Sequence, residues 1–536
     1  MTVLQGDYDY IIVGAGSAGC VLANRLSEDP SITVLLVEAG PRDWALDWRI
    51  HMPSALSYPM NGTYYNWDYR AQPEDTLGGR RLHCPRGKVL GGSSSINGMV
   101  FVRGNRGDFD HWAEASGAAH WSYAHCLPYF RKMETAERGA DAWRGGDGPV
   151  YVTTGAARNP LYQAWLEAGQ QAGFPFTGDY NGETQEGVCR FDRTTRHGRR
   201  ESSATAYLHP VRRRPNLTVV TGAVTRRVTL TANRATGVEV LQGHHIRRVT
   251  ARREVLLSAG AIGSPMLLQL SGIGPAEVLR HAGVGVLHEL PGVGRNLQDH
   301  LEVYMQVSCK EPVTLYSKLS LIGKAKIGLQ WLLTHRGLGG TNHFETGGFL
   351  RSDASVSYPD VQYHFLPVAM NYDGSNGVEG HGYQAHVGPM RSESRGHVAI
   401  RNTDPRQEPE IRFNYLSRES DWVEWRRCIR MTREIFHSPA FTRFHEAEIQ
   451  PGPDVRSDAE IDAFVAARAE SAYHPAGTCR MGSDSDAVVD GELKVRGLEG
   501  LRVIDSSIMP RITNGNLNAP SMMIGERGAD FVKSAG

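Results

Sequence analysis

Two clusters of polar residues are of a type and spacing that could do chemistry. The first is Ser471–Ala–Tyr–His–Pro–Ala–Gly–Thr–Cys–Arg–Met–Gly482, centred on His474. An imidazole takes up or releases a proton near neutral pH. Pro475 biases the residue before it towards extended backbone, which sets the direction of the ring. The small residues and glycine nearby suit a tight site. For any one of the 21 histidines, a hydrogen-bonded core role is the competing reading. The second cluster is Asn514–Gly–Asn–Leu–Asn518–Ala–Pro520, just ahead of a predicted helix. It reads as amide groups for a ligand or as an Asx-rich turn, and local sequence does not say which asparagine matters.

A ligand for these groups must be held by other elements, and the strongest signal lies in the first forty residues. Tyr8–Asp–Tyr–Ile–Ile–Val13 predicts a short buried strand. Gly14–Ala15–Gly16–Ser17–Ala18–Gly19 follows as a turn, Cys20–Leu26 as a helix, Thr33–Val37 as a second strand, and Glu38 closes the unit. This order is that of a dinucleotide-binding unit. Gly14 permits the tight turn, Gly16 lets backbone approach a pyrophosphate, and Gly19 lets the helix pack close to the strand. The helix N-terminus offers N–H groups to phosphate, and Glu38 is placed to take ribose hydroxyls. Gly91–Gly92–Ser93–Ser94–Ser95 forms a second close-approach loop. Apolar residues flank it (Val89–Leu90 and Met99–Val102), so it is no solvent-exposed linker.

The remaining chain alternates strand and helix signals. Helices are predicted around 159–173, over Ile262–Leu270 with Pro265 in the first turn, over 421–436, and over Ser521–Asp530. Ser457–Asp–Ala–Glu460 is a capping box that opens another. Strands are predicted at Leu217–Val220, Ala235–Leu241, Glu254–Gly260 and Leu501–Asp505. Residues 41–80 read as irregular. The unit ending at Gly260 belongs with the opening strand, so the nucleotide domain is discontinuous. The expected division is 1–155, 215–305 and 456–536 for a dinucleotide domain, with 156–214 and 306–455 for a substrate domain.

Bulk properties narrow the function. The chain of 536 residues exceeds one typical core, which favours two associated domains. With 58 basic and 58 acidic residues there is no charge bias towards nucleic acid. Seven scattered cysteines, none spaced CxxC, argue for free thiols in a reducing compartment and against zinc; no metal is expected. No basic leader precedes the first strand and no apolar run is long enough to span a bilayer, so the expected location is cytoplasmic. Peripheral attachment to the inner face of the cell membrane stays open. The sequons at Asn61 and Asn216 carry no meaning in that location. No second strand-bound GxGxxG occurs, which excludes separate flavin and nicotinamide domains.

Taken together, the motifs resemble the glucose–methanol–choline family of flavin oxidoreductases over essentially the full length. The stretches that carry the resemblance are Gly14–Gly19 with Glu38, Gly87–Lys–Val–Leu–Gly–Gly–Ser–Ser94, Gly260–Pro265, Pro291–Gly–Val–Gly–Arg–Asn–Leu–Gln–Asp–His300, Tyr473–His474–Pro475 and Asn518–Gly525. Asp299–Tyr304, Asn342–Phe349 and Tyr363–Asn376 bring it nearest to choline-oxidising members. The resemblance implies an α/β and α+β fold, with a Rossmann-like FAD domain and a substrate domain built on a mixed or antiparallel sheet flanked by helices. It implies FAD, held by Gly14, Gly16, Ser17, Ala18, Gly19, Glu38, Ala39, Gly91, Ser95, Asn97, Gly98, Val224, Asp505 and Asn518. His474 is implied to handle the substrate hydroxyl proton while hydride passes to flavin N5, with Asn518 as its partner. Glu302 is implied to face a trimethylammonium group, with His364, Phe344 and Tyr473 around it.

A quaternary ammonium cannot donate an N–H hydrogen bond, so charge and aromatic faces must hold it. Choline oxidase carries its flavin on a histidine where this chain has Ile96, so FAD is expected to be non-covalent. It also has a serine where this chain has Gly98. The expected reaction is oxidation of choline to betaine aldehyde, with onward oxidation to glycine betaine open. The expected electron acceptor is a quinone of the respiratory chain. Other primary alcohols, oxidase activity and a redox-silent flavin protein are the alternatives. Oligomeric state is not readable.

Overall fold

The structure, a computed structural model, describes residues 6–371 and 380–535. Tyr372–Asn376, part of the resemblance above, lie outside the described residues. Two seven-stranded sheets organise the chain.

In the first sheet, Asp7–Val13 lies between Val34–Val37 and His245–Leu257, parallel to both. Leu217–Val220 extends it on one side and Leu501–Val503 pairs with the end of His245–Leu257. Ile11, Ile12, Leu35, Leu36, Leu256 and Leu257 are fully buried, as expected for parallel strands covered on both faces. An antiparallel meander, Ala223–Thr231 and Arg234–Gln242, completes the sheet through His245–Leu257. That last strand is much longer than its apolar end suggested, because its first half alternates buried and exposed residues.

Helix Ser17–Leu26 starts directly from the glycine turn and packs against the last helix, Asn518–Ala535. Gly525 makes that contact close, since a Cβ there would stand 3.0 Å from Ala18 Cα. Helix Gly260–Leu270 begins earlier than predicted, so Pro265 sits inside it rather than in its first turn. The missing proline N–H leaves the Ala261 carbonyl without its helical donor. Thr478 Oγ1 donates to that carbonyl at 2.6 Å instead.

The second sheet is antiparallel, in the order His445–Gln450, Leu301–Cys309, Gly382–Pro389, Val361–Leu366, Thr346–Leu350, Gly187–Arg190. Helices Pro160–Gln171 and Glu419–Phe436 cover one face, where Trp165 stacks on Phe365. Strand alternation puts Tyr363, Phe365 and Tyr383 on that face. The same alternation turns Gln362, His364, Gln384 and His386 to the other, where His364 lies opposite His386 in register. The capping box at Ser457 and Glu460 is present and opens Asp458–Arg468.

Candidate active site

One elongated cavity runs between the two sheets. Its lining includes Gly14, Glu38 and Ala39 from the first strand–turn–helix unit and Glu302, Phe344, His364, Tyr473, His474 and Asn516 from the other end.

At the nucleotide end the geometry is made by backbone. Gly14 has φ +99°, and a Cβ there would meet the Ser258 carbonyl oxygen at 2.5 Å. A Cβ on Gly19 would stand 1.9 Å from the Gly14 carbonyl oxygen, so helix and turn touch through bare backbone. Gly92, at φ +54°, faces Gly16, whose Cα would be 2.7 Å from an added Cβ. Gly16 caps the helix with no side-chain hydrogen bond, leaving its first-turn N–H groups to a ligand. Glu38 accepts from Ala15 N at 2.9 Å and Gly40 N at 2.8 Å. Burial pushes its carboxyl up to about 7, against those hydrogen bonds. Ser17, Ala18, Asn97, Gly98, Val224, Asp505 and Asn518 also line the cavity. The bare cradle of Gly14, Gly16 and Gly92, leading along the cavity to His474, fits a dinucleotide.

Three expected FAD contacts, Gly19, Gly91 and Ser95, are not among the residues that line the cavity; Gly19 packs on the Gly14 turn. Gly91 N donates to Ala15 O at 2.8 Å, tying the two glycine-rich loops together. Ser95 Oγ donates to Leu90 O at 2.7 Å. Ile96 lines the cavity and packs with Ile50, Tyr65 and Val89.

At the other end the geometry is made by side chains. Asp299 holds the His474 segment: it accepts from His474 N at 2.6 Å and from Tyr415 Oη at 2.6 Å, and it also accepts from Ser471 Oγ. Burial raises its carboxyl pKa, opposed chiefly by the Ser471 and Tyr415 hydroxyls. Tyr473 takes φ +66°, a left-handed conformation rarely adopted by a bulky residue, and its carbonyl accepts from Arg86 Nη2. The segment is thus clamped on both sides of the ring it carries.

Hydrogen bonding assigns the His474 nitrogens. Met390 O can only accept, so the contact at 3.0 Å makes His300 Nε2 the donor. Neutral His300 then has a lone pair on Nδ1, and His474 Nδ1–H donates to it at 3.1 Å. The His474 lone pair is on Nε2, which accepts from Asn516 Nδ2 at 3.0 Å. Gln362 Nε2 donates to Asn516 Oδ1 at 3.1 Å, fixing that amide. Burial, reinforced by His300, His364 and Arg86, holds His474 well below the usual histidine range. Burial likewise lowers His300 and His364 to about 4.

The pairing of His474 with Asn518 is therefore corrected. Asn516 meets the imidazole, whereas Asn518 Oδ1 accepts from Ser17 Oγ at 2.8 Å. Asn518 begins the last helix and faces the nucleotide turn; Asn516, two residues earlier, lies on the proton side.

Glu302 is 4% exposed on strand Leu301–Cys309. The Gln384 amide is oriented by Met370 N, which donates to its Oε1 at 2.9 Å. Its Nε2 therefore donates to His386 Nε2 at 2.7 Å, and His386 Nδ1–H donates to Glu302 Oε1 at 2.9 Å. His386 thus supplies the carboxylate with a hydrogen bond from a neighbouring strand of the same sheet. Phe344 stands edge-on to His364 and His386, with centroids at 5.6 and 5.8 Å, and Gly98 borders it.

His300, Asp299, Gln362, Gln384, His386 and Asn516 escaped the sequence reading as site residues. One signal was present: Val361–Leu366 and Gly382–Pro389 are wholly buried strands that carry glutamine and histidine two residues apart. Buried polar residues at that period mark a polar cavity on one sheet face.

The chain belongs to the GMC oxidoreductase family, whose N-terminal part matches residues 8–302 and whose C-terminal part matches residues 392–525. It is 56% identical to the oxygen-dependent choline dehydrogenase of Paraburkholderia phymatum, over 98% of this chain and 92% of that protein. It is 55% identical to the enzyme of that name from Escherichia coli O17:K52:H18, over 98% and 95%. Among solved structures it is similar to pyridoxine 4-oxidase from Mesorbium loti, with TM-score 0.89, 35% identity and 98% of both chains covered.

Proposed function

We propose that this protein is an FAD-dependent dehydrogenase that oxidises choline to betaine aldehyde. One observation carries the reading: His474 presents a neutral Nε2 to the same cavity that Glu302, hydrogen-bonded to His386, and Phe344 line. The identity to choline dehydrogenases over almost the whole chain supports it. The division into an FAD domain (1–155, 215–305, 456–536) and a substrate domain (156–214, 306–455) is part of the proposal; the two sheets fit it except at 305/306, which falls inside strand Leu301–Cys309 of the second sheet.

Gly14, Gly16 and the first turn of Ser17–Leu26 would hold the pyrophosphate, Glu38 the ribose, and Asn97, Gly98, Asp505 and Asn518 further parts of FAD. Bound FAD supplies the two-electron acceptor for the hydride. With Ile96 in place of a nucleophilic ring, it is held non-covalently. The substrate hydroxyl enters between His474 and Asn516. It donates to His474 Nε2 and accepts from Asn516 Nδ2–H. His474 takes the proton as general base, and its Nδ1–H remains on His300, which fixes the ring and its tautomer. Asn516 supports the developing alkoxide. Glu302 faces the trimethylammonium, with Phe344, His364 and Tyr473 as apolar and aromatic walls worth about 0.5–2 kcal/mol per cation–π contact.

Electrons leave to a membrane quinone. The relatives' name, oxygen-dependent choline dehydrogenase, favours a second reading in which oxygen is the direct acceptor. Anaerobic titration tests the main claim: choline bleaches the flavin, whereas 3,3-dimethylbutan-1-ol, its uncharged isostere, does so far more slowly. Equal rates would remove the cation site. Oxygen uptake by purified enzyme without membranes would establish the second reading.

A further inference from the structure

Among the described residues, four arginines are no more than 1% exposed: Arg103, Arg144, Arg200 and Arg502. A buried guanidinium keeps its charge, and burying it is costly unless a carboxylate meets it. Three of the four are met in this way. Arg103 and Arg144 pair with Glu134, Arg144 also with Asp192 at 2.8 Å, and Arg502 with Glu254 at 2.7 Å. Arg200 has neutral oxygens only. Its Nε donates to Ile50 O at 2.8 Å, and its Nη1 donates to Asn97 O at 2.6 Å, Asn97 Oδ1 at 2.8 Å and Ser94 O at 3.3 Å. Its Nη2 is buried with no partner. The adjacent Glu201, raised to about 7 by its own burial, accepts from Thr205 and is influenced by Arg196 and His209. Burial lowers Arg200 to about 9 with nothing opposing it, so the side chain is a cation at neutral pH.

The oxygens that Arg200 holds belong to the loop behind the cavity wall. Ser94 lies in the turn Gly92–Ser95, whose first residue faces Gly16, and Asn97 lies just beyond it. Ile50 packs with Ile96. Arg200 does not itself line the cavity, whereas Ile96, Asn97 and Gly98 do. Asn97 relays the charge. Its Oδ1 accepts from Met99 N at 3.1 Å and from Arg200. The Met99 N–H can only donate, so the amide is fixed, and its Nδ2–H groups, without a partner among the described residues, are left for the cavity. An amide whose oxygen is bonded to a cation is a stronger donor at its nitrogen.

We propose, resting on the FAD reading above, that Arg200 acts through Asn97 to raise the reduction potential of the bound flavin. In the reaction proposed above, the hydroxyl proton goes to His474 and the C–H bond delivers a hydride, so the flavin ring system gains one negative charge. A buried cation without a counter-ion favours the state that carries that charge, most strongly where water is excluded. Charge and hydrogen bonds beside the ring are the protein's means of tuning this cofactor. A clamp on Ile50, Ser94 and Asn97 would need only the hydrogen bonds, and the desolvation of a full charge would then be uncompensated. Arg200 is therefore a positioning residue set behind the wall, with Asn97 as its contact to the cavity.

The flavin potential of the purified holoenzyme is measured by reductive titration against a reference dye, with no choline present. Sulfite affinity is measured beside it, since addition of sulfite also places negative charge on the ring. Arg200→Gln keeps an amide donor and removes the charge. It is expected to shift the reduced-to-oxidised ratio at a given potential about tenfold or more towards oxidised flavin, about 30 mV for a two-electron couple. Sulfite binding is expected to weaken with it. Asn97→Ala is expected to lower the potential as well, and the double variant to fall no further than the larger single change, because the two residues act in one path. A native potential and sulfite affinity in Arg200→Gln would overturn the proposal. So would a double variant whose fall is the sum of the two. If Arg200→Gln fails to hold flavin, a native potential in Asn97→Ala overturns it. A native protein that binds no flavin would refute the FAD reading itself, whereas flavin that choline does not reduce would refute the substrate and leave the effect of Arg200 standing.

Discussion

The two ends of the cavity are built from opposite materials. At the nucleotide end, Gly14, Gly19 and Gly92 contribute almost nothing but main chain, and each matters for the atoms it lacks, since a Cβ there would stand 2.5, 1.9 and 2.7 Å from backbone. At the proton end, His474, His300, Asn516 and Gln362 form a chain of side-chain hydrogen bonds drawn from four separated stretches. The first end is damaged by adding atoms, the second by removing them. Binding and chemistry should therefore fail independently.

The largest effect is expected at the proton end. His474→Ala should slow flavin reduction by choline by about 10²–10⁴-fold in anaerobic stopped flow, with flavin content unchanged. Loss of flavin together with rate would break the comparison. Next come the two asparagines. Asn516→Ala should cost about 10²-fold in the same step, as loss of one donor to a developing oxyanion does. Asn518→Ala should act instead on FAD retention, measured by flavin release on dilution. If Asn518→Ala alone slowed reduction, the expected pairing with His474 would return. Gly92→Ala should show the reverse pattern, strain of about 1–3 kcal/mol read as lower flavin occupancy, with the loaded fraction reducing normally.

The smallest effect concerns pH. His300 and His364 are buried, His474 and His343 half-buried, and all four are held below the ordinary histidine value, His300, His364 and His343 to about 4. Their unfolded counterparts protonate near 6.5, so between those values the unfolded chain binds more protons. Stability is then fully present above about pH 6.5 and falls as pH drops towards 4. Glu38, raised to about 7, acts in the opposite sense over the same range, so the histidine contribution is read as a difference: His300→Asn should lessen the loss of Tm between pH 7 and pH 5 relative to the parent protein, and an unchanged pH dependence would contradict the neutral histidine network. The acid limb of kcat/KM should lie below 6.5 for the same reason.

The same contrast explains what was legible. The glycine end was readable because its residues are adjacent and their spacing is the mechanism: both strands fell within one residue of the expected positions, and the helix starts three residues before the expected Cys20, at Ser17. His474 stood out through its proline and small neighbours. Its partners did not, since Asp299, His300 and Asn516 reach it only through folding. In Asn514–Asn518 a shift of two residues moves an amide from the imidazole to the nucleotide turn, and no local pattern separates the two. Helix Gly260–Leu270 was shortened in prediction because Pro265 reads as a start. The hydroxyl that makes an interior proline tolerable comes from Thr478.

The contact between the first and last helices has a consequence in time. Ser17 bonds Asn518, Arg25 pairs with Glu526 at 2.7 Å, and Gly525 lies against Ala18. A chain emerging from the ribosome makes the phosphate turn early, yet the residues that back it arrive some five hundred positions later. Until then the turn has no floor. FAD loading is therefore expected to wait until Asn518 has been made, and a chain cut short before Asn518 is expected to retain no flavin even when flavin is in excess.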